Sequence, residues 1–342
     1  MATVKEHVRE RGCLRSRRSR FIAAALVFVA ILAIVLPTSI IVTRRKDHNN
    51  MGPKAKVFVP LYVYPAPGAW DPLVNVHEPL EIPEPPCERH QPPAKATTVG
   101  QRAPVIYRKL QLNAGSRITE HPDVNFTVVV NPGSGPGPNP LPDANYTQEI
   151  PRLTAHDNVR VLGYVATTYA KRNISAVRRD IETYANWPTL SGNSSLAVRG
   201  IFFDETPQQY NETDFAYLDN LTAVVRNTPG LGPDNFVFHN PGVVPDSRYL
   251  STADSTVVFE ATYDTYLERN GARLFEAIPD SDRSQLCAVI HSLPDNVEGS
   301  DLREFVKQVR RIADEIFITH LSTNYYASFG NKWDDFVSLM AQ

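Results

Sequence analysis

Three cysteines in 342 residues cannot build a disulfide framework. One bridge at most is available, between Cys87 and Cys287, and sequence spacing does not show whether they meet. No Cys/His cluster has the spacing of a metal site. His239, His291 and His320 stand near the ends of apolar runs but far apart in sequence, so they read as polar groups ahead of ligands. No metal and no cofactor are therefore expected. Positive charge is not in excess either: 35 Lys and Arg stand against 37 Asp and Glu, a formal net charge of −2, which argues against nucleic acid as a partner. Nucleotide-binding glycine patterns are missing. No G-x-G-x-x-G follows the first apolar run, and "NPGSGPGPNP" (131–140) lacks the G-K-[ST] ending that brings a lysine to a phosphate. A tight loop that lets a bulky ligand approach the backbone is the better reading of that stretch.

Charge is also missing from residues 21–43, "FIAAALVFVAILAIVLPTSIIVT". As a helix this segment would reach about 34 Å, enough to cross a bilayer, and Pro37 is tolerated there. The competing reading, a cleaved signal peptide, normally has an apolar region of only about 7–15 residues. Lys5, Arg9, Arg11, Arg15, Arg17, Arg18 and Arg20 precede the segment, and only Arg44, Arg45 and Lys46 follow it closely. The positive-inside rule then predicts a single-pass type II protein of the plasma membrane or cell surface. Residues 1–20 form a cytosolic tail, 44–55 a stem, and 56–342 an external domain. Cys13 in the tail is a free thiol or a palmitoylation site. Six Asn-X-Ser/Thr sequons, at Asn125, Asn145, Asn173, Asn193, Asn211 and Asn220, all fall on the external side and are expected to carry glycans.

The 28 prolines concentrate in residues 53–104 and 131–151, which therefore read as loops. Short apolar runs recur at 56–64, 125–131, 159–167, 198–205, 235–240, 256–262, 286–292 and 315–322. Several show little alternation, as strands covered on both faces do. Between them, 174–187, 214–227 and 300–315 carry apolar residues at helical spacing, such as Leu302, Phe305, Val306 and Val309. Eight strands alternating with helices predict an α/β fold, a (β/α)₈ TIM-like barrel preceded by one transmembrane helix. An open doubly wound sheet is the alternative.

Active sites of such barrels lie at the C-terminal ends of the strands. "GIFFDE" (200–205) ends the fourth strand with Asp204 and Glu205, and Glu260 nearly ends the sixth. Adjacent strand residues point to opposite faces. Asp204 and Glu205 can share a direction only if the chain is already turning; otherwise one faces the cleft and the other a neighbouring strand. Aromatic and amide residues gather on the same rim: Tyr62, Tyr64 and Trp70 after the first strand, Asn131 at the second, and Tyr164 and Tyr169 around the third. Asn240 ends the fifth, Tyr263 follows the sixth, and Asn324, Tyr325 and Tyr326 follow the eighth. Carboxylates for acid–base work, ring faces for pyranose C–H and amides for hydroxyls suit a sugar site.

Several motifs in order resemble the spherulin-4-like family: "VPLYVYPAPGAWDPL", "FTVVVNPGSGPG", "NYTQEIPRL", "VRVLGYVATTYAKR", "DIETYANW" and "GIFFDE". The resemblance covers most of residues 56–330. It implies a (β/α)₈ barrel, a membrane-anchored external enzyme, and endo-α-1,4-N-acetylgalactosaminidase activity on galactosaminogalactan, a fungal exopolysaccharide. It also implies that Asp204, Glu205 and Glu260 are the essential acids. The expected mechanism is retaining, with Asp204 as nucleophile, Glu260 as general acid/base and Glu205 orienting the pair or binding substrate. The alternatives are an endo-polygalactosaminidase that prefers deacetylated polymer, or a non-catalytic glycan-binding protein of the cell wall or spore surface. A monomer is expected. One region departs from the family pattern: about forty residues, 77–117, including "EIPEPPCERHQPPAK", intervene where the first barrel helix belongs. They read as a disordered lip or as a retained intron.

Overall fold

Eight parallel strands follow one another around a closed barrel: β1 (Lys56–Leu61), β2 (Phe126–Val130), β3 (Val159–Ala166), β4 (Gly200–Asp204), β5 (Phe236–Asn240), β6 (Ser255–Thr262), β7 (Leu286–His291) and β8 (Glu315–Ile318). They are seen in a computed structural model that describes residues 51–74, 117–269, 278 and 282–342. Residues 1–20, the apolar segment 21–43, most of residues 44–55, Cys13, Cys87 and nearly all of residues 77–117 lie outside the described residues. Among the described residues no helix is long and apolar enough to cross a membrane. Closure is made by β1 pairing with β8 through Lys56↔Glu315 and Val57↔Ile316, which rules out the open doubly wound sheet.

Each strand is short and apolar because both of its faces are covered. The period of two sends alternate residues inward. Phe58, Phe202 and Phe238 meet in the lumen with ring centroids 5.0–5.7 Å apart, and burying a ring of this size stabilises by about 1.5–3 kcal/mol. The same alternation carries the chain upward from Phe202 to Asp204 and from Phe238 to Asn240, two residues on. The outward residues face helices. Phe203 and its register partner His239 pack together outside the lumen, and burial lowers the His239 pKa to about 3, so the ring is neutral.

The helix layer contains α1 (Asp71–Val74), α2 (Arg117–Glu120), α3 (Ala144–Thr154), α4 (Ile174–Ser191), α5 (Glu212–Arg226), α6 (Tyr263–Glu268), α7 (Gly299–Arg310) and α8 (Trp333–Met340). Asp143, Asn173, Asn211 and Thr262 cap α3, α4, α5 and α6 by accepting backbone N–H bonds. Gly163 in β3 is required by packing. A Cβ there would stand 2.8 Å from the Tyr184 ring of α4, and the Tyr184 hydroxyl donates to Tyr164 O at 3.0 Å.

Several boundaries differ from the sequence expectation. The predicted helix 300–315 stops at Arg310, because Asp314 already pairs with Lys56 and Glu315 begins β8. Residues 53 and 54, read as part of the stem, bond to the barrel: Arg310 donates to Pro53 O and Arg283 to Lys54 O. Arg117, the last residue of the expected insertion, opens α2 and pairs with Glu120 and Asp334. Cys287 is a buried free thiol on β7. Of the sequons, Asn125, Asn173, Asn193 and Asn211 are exposed, whereas Asn145 donates to the Tyr64 hydroxyl and Asn220 accepts from Arg178.

At the end of the barrel away from Asp204, Glu315 is fully buried. Lys56 Nζ stands 3.9 Å from its carboxylate but is closer to Asp314, at 2.9 Å. Burial pushes the Glu315 carboxyl up to about 7, against the opposing pull of Lys56 and Arg160. The unfolded chain releases this proton near its ordinary value of about 4.3. The group's contribution to stability is therefore full below that value and is lost as pH rises through about 7. Glu315→Gln should raise the melting temperature more at about pH 8 than at about pH 5. Equal shifts at both pH values would refute the assignment.

Candidate active site

β4 ends at Asp204, and the chain turns at Glu205. Glu205 has φ 54°, left-handed for a residue with a side chain. The turn is held from the β3 side: Tyr169 N donates to Glu205 O at 2.6 Å, and Thr167 Oγ1 donates to the same oxygen at 2.8 Å. Thr168, Tyr169 and Ala170 are themselves left-handed, and such strained backbone concentrates at functional sites. Because the strand has ended, Asp204 and Glu205 line one cleft together instead of facing opposite ways. The cleft has a volume of about 250 Å³ and also exposes Tyr169, Asn240, Pro241, Gly242, Glu260, His291 and Tyr325. None of these lining residues is a lysine or arginine.

Asp204 and Glu260 come from strands separated only by β5, and Asn240 of β5 stands between them. Its Nδ2 donates to Asp204 Oδ1 at 2.9 Å and to Glu260 Oε2 at 2.8 Å. The remaining carboxylate oxygens are taken by phenols. Tyr164 donates to Asp204 Oδ2 at 2.8 Å, and Tyr326 donates to Glu260 Oε1 at 2.6 Å. Tyr62 sits edge-on between these two rings, with centroids 5.5 Å from Tyr164 and 5.4 Å from Tyr326. Burial raises the Glu260 pKa; the bonds from Tyr326 and Asn240 oppose the rise, and the charge on Asp204 adds to it. Burial and the neighbouring carboxylates hold the Tyr62, Tyr164 and Tyr326 phenols well above their ordinary value, so they remain donors. Burial lowers the His291 pKa, and its ring lies flat on Tyr325, 4.1 Å between centroids at 5°.

The structure therefore brings Asp204, Glu205, Glu260, Tyr164, Tyr169, Asn240 and Tyr325 together, with Tyr62 beneath them. Five other residues that the sequence placed on the sugar are not among those lining the cleft. Trp70 is buried, its indole N–H donating to Val63 O at 2.9 Å and its ring packed on Tyr146, so no face is open for stacking. Tyr263 opens α6 and packs on Phe305 of α7 in the helix layer. The Asn131 side chain accepts from Gly135 N at 3.0 Å and holds its own loop. Asn324 is an exposed turn residue with φ 50°. Tyr64 stays on the surface beside Tyr146 and is not among the cleft-lining residues. The sequence placed Tyr326 on the rim only as one aromatic among several, and His291 as a generic polar group. Pro241 and Gly242 carried no signal.

Residues 113–340 match the model of spherulation-specific family 4. The chain belongs to this spherulin-4 family. It is 30% identical to Spherulin-4 of Physarum polycephalum over 206 residues, which cover 60% of this chain and 44% of that protein. The chain thus spans less than half the length of this curated relative. Among solved structures it resembles Aspergillus clavatus Sph3 in complex with GalNAc, with 64% identity and a TM-score of 0.72 over 85% of this chain and 99% of that one. Within the spherulin-4 barrel described above, the acids of "GIFFDE" and the later Glu260 are the carboxylates that line the cleft.

Proposed function

We propose that the protein is an endo-acting glycoside hydrolase that cleaves α-1,4-linked N-acetylgalactosamine in galactosaminogalactan by a retaining mechanism. The observation that carries this reading is the pair of carboxylates sharing one amide at the mouth of the cleft. Two bonds of ordinary length to a single nitrogen keep the bonded oxygens closer than the ~6.5–9.5 Å an inverting pair needs and near the ~5–5.5 Å of a retaining pair. Asp204, bonded at both oxygens by donors, is fixed in place as the nucleophile. It attacks the anomeric carbon while Glu260, raised in pKa by burial, gives its proton to the departing glycosidic oxygen. Glu260 then takes a proton from water, whose oxygen attacks the same carbon and releases Asp204. Glu205, on the left-handed turn, faces the substrate. The family resemblance and the solved GalNAc complex of a 64% identical relative support the sugar class.

A second reading, a preference for deacetylated polymer, draws on the cleft itself. Three carboxylates line it without a lysine or arginine, which favours a protonated amine. The two readings separate on defined α-1,4 oligomers analysed by mass spectrometry. Internal cleavage of the acetylated oligomer is the expected result. Cleavage of only the deacetylated oligomer selects the second reading. Binding to both without products would make the barrel a glycan-binding module.

A further inference from the structure

Asn240 was expected to hold a substrate hydroxyl, yet its side chain has little left to offer one. A side-chain amide carries two N–H donors and one carbonyl oxygen. Both donors are committed, one to Asp204 and one to Glu260. The oxygen accepts from Gly242 N at 2.9 Å, which also fixes which way round the amide stands. The Asn240 backbone oxygen accepts from Thr206 N at 3.0 Å, anchoring the residue to the segment just past Glu205. The result is a continuous hydrogen-bonded arc, Tyr164–Asp204–Asn240–Glu260–Tyr326. Its two ends are braced by one ring, Tyr62, whose own backbone N–H donates to Tyr326 O at 3.0 Å.

We infer that Asn240 is a positioning residue: its single amide clamps Asp204 and Glu260 at working separation, and Tyr326 locks the free side of Glu260. The inference rests on the proposed roles of the two acids, but its geometry stands apart from them. Two carboxylates this close repel, and a donor shared between them offsets the repulsion while fixing both orientations. The clamp also sets how readily Glu260 takes up a proton. The ionisable groups around Glu260 are Asp204 and Glu205 from the β4 end, Tyr62 after β1, and Tyr164 from β3. Tyr169 after β3, Cys287 and His291 from β7, and Tyr325 and Tyr326 after β8 join them among the described residues. Of these, Tyr326 donates to the Glu260 carboxylate, as the Asn240 amide does. Removing either donor disfavours the charged form, so Glu260 must protonate at higher pH.

The test is a titration of the full chain carrying ¹³C-labelled glutamate carboxyls, with the Glu260 signal assigned through Glu260→Gln. Asn240→Ala and Tyr326→Phe should each raise the apparent Glu260 midpoint by about one unit, as expected for losing a bond to a charged group. On polymer, Asn240→Ala should lower kcat by about 10²-fold with KM changed only a few-fold, since the residue acts through the acids. Tyr326→Phe deletes one oxygen and serves if the alanine variant does not fold. An unmoved midpoint in both variants overturns the clamp, as does a raised KM at unchanged kcat, which would return Asn240 to the substrate. If the midpoints move but the parent cleaves no polymer, the clamp stands and the hydrolase reading fails.

Discussion

Asp204→Asn and Glu260→Gln should each abolish cleavage of a substrate that the parent protein cuts, with a loss of at least about 10²-fold in kcat. The same proteins should melt at or slightly above the parent temperature. The two outcomes have one cause. Asp204 and Glu260 sit where the strands have left the apolar lumen, so their contribution to the core is small, yet a charge on either one is opposed by the other. Burial and the Asp204 charge already press Glu260 towards its neutral form. Replacing either acid by its amide keeps the volume and relieves the repulsion, and relief of that kind at a functional site commonly stabilises. Glu205→Gln should also be impaired, with more of its effect in KM, because Glu205 faces the cleft from the turn and lies outside the arc. The checks are kcat and KM on purified polymer together with a melting curve for each variant. Near-normal turnover in the Asp204 and Glu260 variants would make the rim acids structural and transfer the protein to the glycan-binding reading.

Gly200→Ala should be the most damaging small substitution in the strands. A Cβ at this position would lie 2.1 Å from Phe236 O, 2.6 Å from Phe236 N and 2.7 Å from Phe236 C, all backbone atoms. The neighbouring strand cannot swing aside. Phe236 N donates to Arg199 O at 3.0 Å, and Gly200 and Phe236 are register partners in the β4–β5 ladder. Overpacking against a flexible side chain costs about 1–3 kcal/mol; a clash with fixed backbone lies at or above the top of that range. For a domain of this size, about 3 kcal/mol corresponds to a fall of roughly 6–12 °C in melting temperature. Activity should fall as well, because Gly200 begins the five-residue strand whose last member is Asp204. Thermal unfolding followed by circular dichroism decides the matter. A midpoint within a degree or so of the parent would show that the β4–β5 ladder can open locally without loss.

The strands are legible in the chain itself because each is a short apolar run bounded by turn residues. Burial on both faces demands that pattern whatever lies around it. Chain order alone also puts Asp204, Glu205 and Glu260 on one rim, since parallel strands in a barrel bring all their C-terminal ends to the same side. Closure is less direct: a doubly wound sheet reads much the same strand by strand, and only the β1–β8 pairing distinguishes them. The rim aromatics show where local reading stops. Trp70, Tyr263 and Tyr62 all follow a strand, yet one is buried under Tyr146, one packs into the helix layer and one braces two other phenols. A loop side chain's direction depends on the neighbours it meets, and those neighbours lie far away in sequence.

What the amino-acid sequence determined by itself was therefore the set of strands, their common polarity and the three acids at their ends, because periodicity and chain order are local properties. The tertiary structure decided which groups bind those acids. It turned the chain at Glu205 so that neighbouring carboxylates share a cleft, and it placed one amide from β5 between acids from β4 and β6. It also brought Tyr326 from beyond β8 to Glu260, 66 residues away. Each of these is held by hydrogen bonds between strand ends and loops distant in sequence, whose length and direction are set by strand register and ring packing and leave no repeating mark in the chain.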